Sequence, residues 1–123
     1  MMKTLVIGTK SSFPYEMVEE CLEFCTGNDQ IIVTGSVPVD DLAARYAYEN
    51  GIALKTEIVD AQLHGTNARN YMMRKLIPDV DRVVFFDSGN DELLESLHEY
   101  AESQKKETIY LSSTQYRSRI DED

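Results

Sequence analysis

Short, nearly continuous apolar runs alternate along this chain with longer stretches whose apolar positions recur three and four residues apart. The first kind reads as strands buried on both faces, the second as amphipathic helices. Thr4-Leu5-Val6-Ile7 is the first strand and Ile31-Ile32-Val33 the second. Ala53 to Val59 alternates, with Leu54, Thr56 and Ile58 on one face and Lys55 and Glu57 on the other, and is the third. Arg82-Val83-Val84-Phe85-Phe86 is the strongest strand, and Thr108-Ile109-Tyr110-Leu111 is the last.

Helices fill the intervals. The first begins at Phe13-Pro14, since proline is tolerated in a first turn. It carries the stripe Met17, Val18, Cys21, Leu22 and Cys25, and Thr26-Gly27-Asn28-Asp29 ends it. The second has Leu42, Ala43, Tyr46 and Ala47 at helical spacing and stops at Asn50-Gly51, where glycine enters the left-handed region without strain. The third runs from about Asn67 to Leu76 and is halted by Ile77-Pro78. The fourth spans Asp91 to Gln104 with Leu93, Leu94, Leu97 and Ala101 inward. Residues 112–123 are polar and without period, which predicts a partly ordered tail after a single domain over residues 1–111.

Strands alternating with helices imply a parallel sheet covered on both faces. The predicted fold is therefore a Rossmann-like three-layer α/β/α sandwich. Its five-stranded, mainly parallel sheet has the expected order 3-2-1-4-5. In that order the switch point lies between strands one and four, and ligands sit outside the carboxyl ends of the strands. The loops there are Gly8-Thr9-Lys10, Thr34-Gly35-Ser36 and Ser88-Gly89-Asn90. Each holds a glycine that lets backbone approach a ligand.

Composition narrows the functional classes. The chain has 123 residues, 42% hydrophobic and 28% charged, as a folded globular domain does. No apolar run is long enough to span a membrane and no signal-peptide segment opens the chain, so a cytoplasmic location is expected. A net charge of -10, from 12 basic and 22 acidic residues, disfavours nucleic acids and anionic membranes as partners. Residues 61–76 run against this acidity: they hold Arg69, Arg74 and Lys75 and no acid. Arg74 and Lys75 lie late in a helix, where they also suit its dipole; Arg69 lies near the start, where dipole compensation does not account for it. Cys21 and Cys25 share a helix face with no histidine or third cysteine near, and read as buried apolar thiols rather than metal ligands. His64 and His98 are isolated in sequence and do not suggest a catalytic imidazole. No cofactor or metal is expected.

Four segments together resemble the SLOG superfamily, in particular its small single-domain YspA/YpsA-related members and, more distantly, the Lonely-guy phosphoribohydrolases. They are Gly8-Thr9-Lys10 after the first strand; Ile32-Val33-Thr34-Gly35 with Asp40 and Leu42-Ala43-Ala44-Arg45-Tyr46-Ala47; Gly51-Ile52; and Gly65 with Arg69-Asn70-Tyr71-Met72-Met73. The resemblance covers about residues 3 to 111. It implies a ligand such as an ADP-ribose-like, NAD-derived or nucleoside monophosphate species, and a homodimer with helices paired across a two-fold axis. Two departures bear on function. Ser36, Val37, Pro38 and Val39 stand where the family has further glycines. The turn after the fourth strand reads Ser88-Gly89-Asn90-Asp91-Glu92 instead of ending in a phosphate-holding Gly-Thr. Carboxylates at that helix start would repel a phosphate.

The ligand-binding residues expected from loop placement and resemblance are Gly8, Thr9, Lys10, Gly35, Ser36, Asp40, Arg69, Asn70, Gly89 and Asn90. Lys10 would neutralise a phosphate, and Gly35-Ser36 would offer N–H groups and a hydroxyl to an anion. Asp40 reads first as a helix cap and second as a ligand contact. Arg69 is the strongest single expectation, because guanidinium pairs bidentately with phosphate or carboxylate. Asn70 would hydrogen-bond a base or ribose. Tyr46, Tyr71, Met72 and Met73 read as core before a base-stacking shelf. The leading function is non-catalytic binding of a nucleotide-derived small molecule, which fits nucleotide signalling or defence in a bacterium or its phage. The alternative is N-glycosidic hydrolysis of a nucleoside 5′-monophosphate, for which the resemblance puts the carboxylate at Glu95. A third reading is an interaction protein with a vestigial site.

Overall fold

The computed structural model describes residues 1–59 and 67–112. Its elements are β1 (Lys3–Gly8), α1 (Tyr15–Leu22), β2 (Gln30–Val33), α2 (Pro38–Glu49), β3 (Ala53–Thr56), α3 (Ala68–Leu76), a 3-10 turn (Ile77–Asp79), β4 (Arg82–Phe86), α4 (Glu92–Ser103) and β5 (Glu107–Leu111). All strand pairs are parallel and the order is β3-β2-β1-β4-β5, as the alternation of strands and helices predicts. The fold is Rossmann-like.

The continuous apolar runs become intelligible in the sheet. Successive side chains point to opposite faces. Val6, Ile31, Val33, Val84 and Phe86 therefore join α1 and α2 in one core. Leu5, Ile7, Ile32, Val83 and Phe85 join α3 and α4 in the other. β1 lies between β2 and β4, with Leu5 level with both Ile32 and Val83, and each central strand must be apolar on both sides.

Several boundaries differ from the sequence expectation. α1 ends at Leu22, one turn before the Thr26–Asp29 segment. Cys25 lies beyond the helix and is still buried, because that segment makes its own turn, with the Asp29 carboxylate accepting from Thr26 N at 2.8 Å. β3 stops at Thr56 and all four of its residues are exposed. The expected alternation therefore does not sort into a buried and a solvated face: β3 is an edge strand with a neighbour on one side. Leu54 is 41% exposed and Ile58 72%. Asp91 is the N-cap of α4, accepting from Leu94 N at 3.0 Å, and Gln104 is its C-cap. β5 begins one residue early, at Glu107. Apart from Ser112, the expected tail lies outside the described residues, as do His64 and Gly65.

Cys21 and Cys25 are free buried thiols, and burial pushes Cys21 up to about 11. Among the described residues no helix is long and apolar enough to cross a membrane.

Candidate functional site

The carboxyl ends of β1 and β4 meet where the strand order reverses, with β2 beside β1, and the loops after these strands lie together at the place where folds of this kind form a ligand crevice. Gly8 ends β1. A Cβ there would lie 2.3 Å from Val39 Cγ1, so the first turn of α2 packs against β1 through the absence of a side chain. The Gly8 carbonyl accepts a hydrogen bond from Arg69 Nη2, which reaches it from the first turn of α3. Burial pulls the Arg69 guanidinium below its ordinary value, and the negative charges of Asp40 and Asp91 oppose that pull. Arg69 Nε is buried with no hydrogen-bond partner among the described residues.

The loop after β2 turns at Gly35, whose φ of 69° requires left-handed backbone. Val37 occupies the N-cap position of α2, and Asp40 is the third helical residue. Its carboxylate reaches back over the turn: Oδ2 accepts from Ser36 N at 3.0 Å, Val37 N at 3.3 Å and Thr34 Oγ1 at 3.2 Å. The Ser36 hydroxyl is 2.7 Å from that of Thr34. The Ser36 N–H, one of those expected to hold an anion, thus meets the chain's own carboxylate, as does that of Val37. Asp40 is 1% exposed, and its Oδ1 has no partner among the described residues. Burial raises its pKa above the ordinary carboxylate value, against the lowering effect of the hydrogen bonds from Ser36, Val37 and Thr34.

The loop after β4 repeats the device with Asp87, also 1% exposed. Its Oδ1 accepts from Gly89 N at 2.9 Å and Asp91 N at 3.1 Å, and its Oδ2 from Asp91 N at 3.0 Å and from the Tyr110 hydroxyl. Burial and that bond to Asp87 push the Tyr110 phenol up. Asn90 takes φ of 55°, a conformation asparagine tolerates better than most residues. Gly89 has open space where a Cβ would stand, so its turn does not depend on glycine for room. Thr9 is buried, and its hydroxyl lies 2.8 Å from that of Ser88, tying the loops after β1 and β4 together.

Of the residues expected from sequence, the structure gathers Gly8, Thr9, Gly35, Ser36, Asp40, Arg69, Gly89 and Asn90 on the loops and helix starts around this crevice. Lys10 is there too, exposed. The Asn70 side chain is directed elsewhere: its Oδ1 accepts from Arg74 Nε at 3.1 Å, while Arg74 Nη2 donates to Ser96 Oγ at 2.7 Å on α4. The basic stretch is split accordingly. Arg69 turns to the Gly8 carbonyl, whereas Arg74 and Lys75, with Asn67, Asn70 and Tyr71, line an open groove of about 560 Å³. Tyr46 and Met73 are core, and Tyr71 is half-exposed. Glu95 is exposed on the first turn of α4. His98 packs on Phe85 and Tyr110 and lies 3.2 Å from Glu102.

Sequence reasoning placed Thr34 and Ser88 in the ligand-facing loops without giving their side chains a role, and gave none to Asp87. For Asp87 a signal existed: an aspartate opening Asp-Ser-Gly-Asn after an apolar strand is the pattern of a side chain bonding N–H groups two residues on. No protein-family model matches this sequence, and no curated protein matches it significantly.

Proposed function

We propose that this protein binds a nucleotide or nucleotide-derived small molecule in the crevice above β1, β2 and β4, without catalysing a reaction on it. The observation that carries this reading is the Arg69 guanidinium on the Gly8 carbonyl, with Nε unmet among the described residues, together with Asp40, whose buried Oδ1 is unmet among them as well. A buried donor and a buried acceptor left without protein partners are costly unless something answers them. The chemistry that answers both is an anionic group for the arginine and a hydroxyl for the carboxylate, which a ribose phosphate supplies. The N–H groups of Ser36 and Val37 are already taken by Asp40 and those of Gly89 and Asp91 by Asp87, so charge recognition falls chiefly to Arg69 and, from the rim, Lys10. ADP-ribose-like, NAD-derived and nucleoside monophosphate species fit this description. Hydrolysis is the weaker reading, because Glu95 is an exposed helix residue without a neighbouring phosphate loop.

The self-filled turns also favour a second reading, an interaction protein whose site is vestigial. A thermal-shift panel of nucleoside monophosphates, cyclic nucleotides, NAD and ADP-ribose separates the two. Binding at a hundredfold excess over Kd stabilises by about 2.7 kcal/mol. Arg69→Ala abolishes that shift while leaving the unliganded melting temperature nearly unchanged, because the desolvation cost of the guanidinium offsets its bond to Gly8. An undiminished shift in Arg69→Ala overturns the site. No shift with any member of the panel at millimolar concentration favours the vestigial reading.

A further inference from the structure

We infer that the edge formed by β3 and the three residues after it is a homodimer interface, at which residues 53–59 pair antiparallel with the same segment of a second copy about a two-fold axis through Thr56. The inference is independent of any ligand. β3 ends one side of the sheet, and all four of its residues are exposed. Sheet edges are normally blunted by shortness, charged side chains, proline, a bulge or a covering element, since unpaired N–H and C=O groups invite another strand; β3 has four residues and one lysine, Lys55, whose charge Glu57 of a second copy answers in the register below. Residues 53–59 contain no proline, and Leu54 and the 72%-exposed Ile58 stand on this edge segment.

The backbone dictates which groups are available. Glu57 N donates to Val33 O at 2.8 Å, so Glu57 and, by alternation, Lys55 and Ala53 direct their polar groups inward to β2. Leu54, Thr56 and Ile58 direct theirs outward. An antiparallel pair with its axis at an outward residue exchanges both hydrogen bonds there. With the axis at Thr56, that residue faces Thr56 of the second copy, Leu54 faces Ile58, and Lys55 faces Glu57. Apolar side chains then meet apolar ones on one face of the joined sheet, and opposite charges meet on the other. Lys55 and Glu57 already stand on a common face, 2.8 Å apart within one chain.

The neighbouring registers lack this match. An axis at Lys55 sets lysine against lysine, and one at Glu57 sets glutamate against glutamate. An axis at Leu54 places Lys55 against Ala53. The self-complementary register selects a second copy of this chain as the occupant, because an isologous interface needs a patch that matches itself. The result is a continuous sheet with twice the five strands of one chain.

Sedimentation equilibrium over a dilution series tests this, with circular dichroism confirming that each variant is folded. The wild-type chain is expected to sediment as a dimer of its 14.0 kDa protomer. Lys55→Glu and Glu57→Lys each shift it to monomer, and the double variant, which exchanges the two charges, restores the dimer. In parallel, Thr56→Cys forms a reducible covalent dimer, since paired Cα atoms about 5.5 Å apart lie within disulfide reach. Lys55→Cys does not form one, because its opposite number is Glu57. A monomeric wild type, a dimer that survives both single charge reversals, a double variant that stays monomeric, or equal cross-linking at Lys55→Cys and Thr56→Cys overturns the inference.

Discussion

Gly8 illustrates how one residue's meaning changes between sequence and structure. In the sequence it is the small residue of a loop placed for a ligand's approach; in the fold it is where Val39 comes against β1. Gly8→Ala is expected to destabilise the protein by about 1–3 kcal/mol, the usual range for overpacking a close-packed site. Adding Val39→Ala to that variant recovers part of the loss, because it removes the methyl that the new Cβ meets. Urea denaturation of the two single variants and the double measures this coupling, and strictly additive losses would contradict the packing account. Arg69 is the opposite case. Its position near a helix start, without an acid nearby in sequence, marked it before any contact was known. Its partner, a carbonyl sixty-one residues away, was beyond local pattern.

At the scale of the element, α2 is held at its start by a carboxylate that belongs to its own first turn. Asp40 was legible as a capping residue from its place before the apolar stripe, but the N-cap position is Val37 and Asp40 reaches back to it. The reach buries the carboxyl, and burial outweighs the hydrogen bonds in raising its folded pKa. The sign follows from linkage. The folded state holds this proton more tightly than the unfolded state, so Asp40 contributes stability at low pH that is lost as pH rises from the unfolded value, about 3.9, through the raised folded one. Asp40→Asn keeps an amide oxygen for Ser36 and Val37 and puts its nitrogen where Oδ1 has no partner among the described residues. Urea denaturation at a series of pH values is expected to show the stability of wild type relative to Asp40→Asn falling across that window and level above it. Asp29 shifts the other way, lowered chiefly by its bond from Thr26 N, and is common to both proteins, so it cancels in the difference. A difference that rises with pH would refute the assignment.

For the whole molecule, the net charge of -10 sets a background that no single contact removes. Self-repulsion destabilises a compact chain of one sign and is screened by salt within a Debye length of about 10 Å at 0.1 M. Melting temperature is therefore expected to rise as sodium chloride is raised from low to moderate concentration, measured by differential scanning calorimetry. A fall would mean that ion pairs such as Arg82–Glu107, at 3.0 Å across the β4–β5 edge, outweigh the repulsion. The doubly wound architecture was legible at this scale because parallel sheets demand strands apolar on both faces, and Ile31-Ile32-Val33 and Val83-Val84-Phe85-Phe86 meet that demand without tertiary information.

What the sequence by itself determined is thus the sheet, its order and the end of it at which loops converge, since these follow from periodicity and the handedness of crossovers. It also singled out Arg69. Tertiary structure decided three things that depend on contacts distant in the chain or on the fate of individual N–H groups. Gly8 is spent on Val39. The β3 alternation is not a buried face, because the strand lies at an edge. The turns at Gly35 and Gly89 give their N–H groups to Asp40 and Asp87. A glycine turn at a helix start looks the same in sequence whether an external anion or an internal carboxylate fills it, because both answer the same unpaired donors.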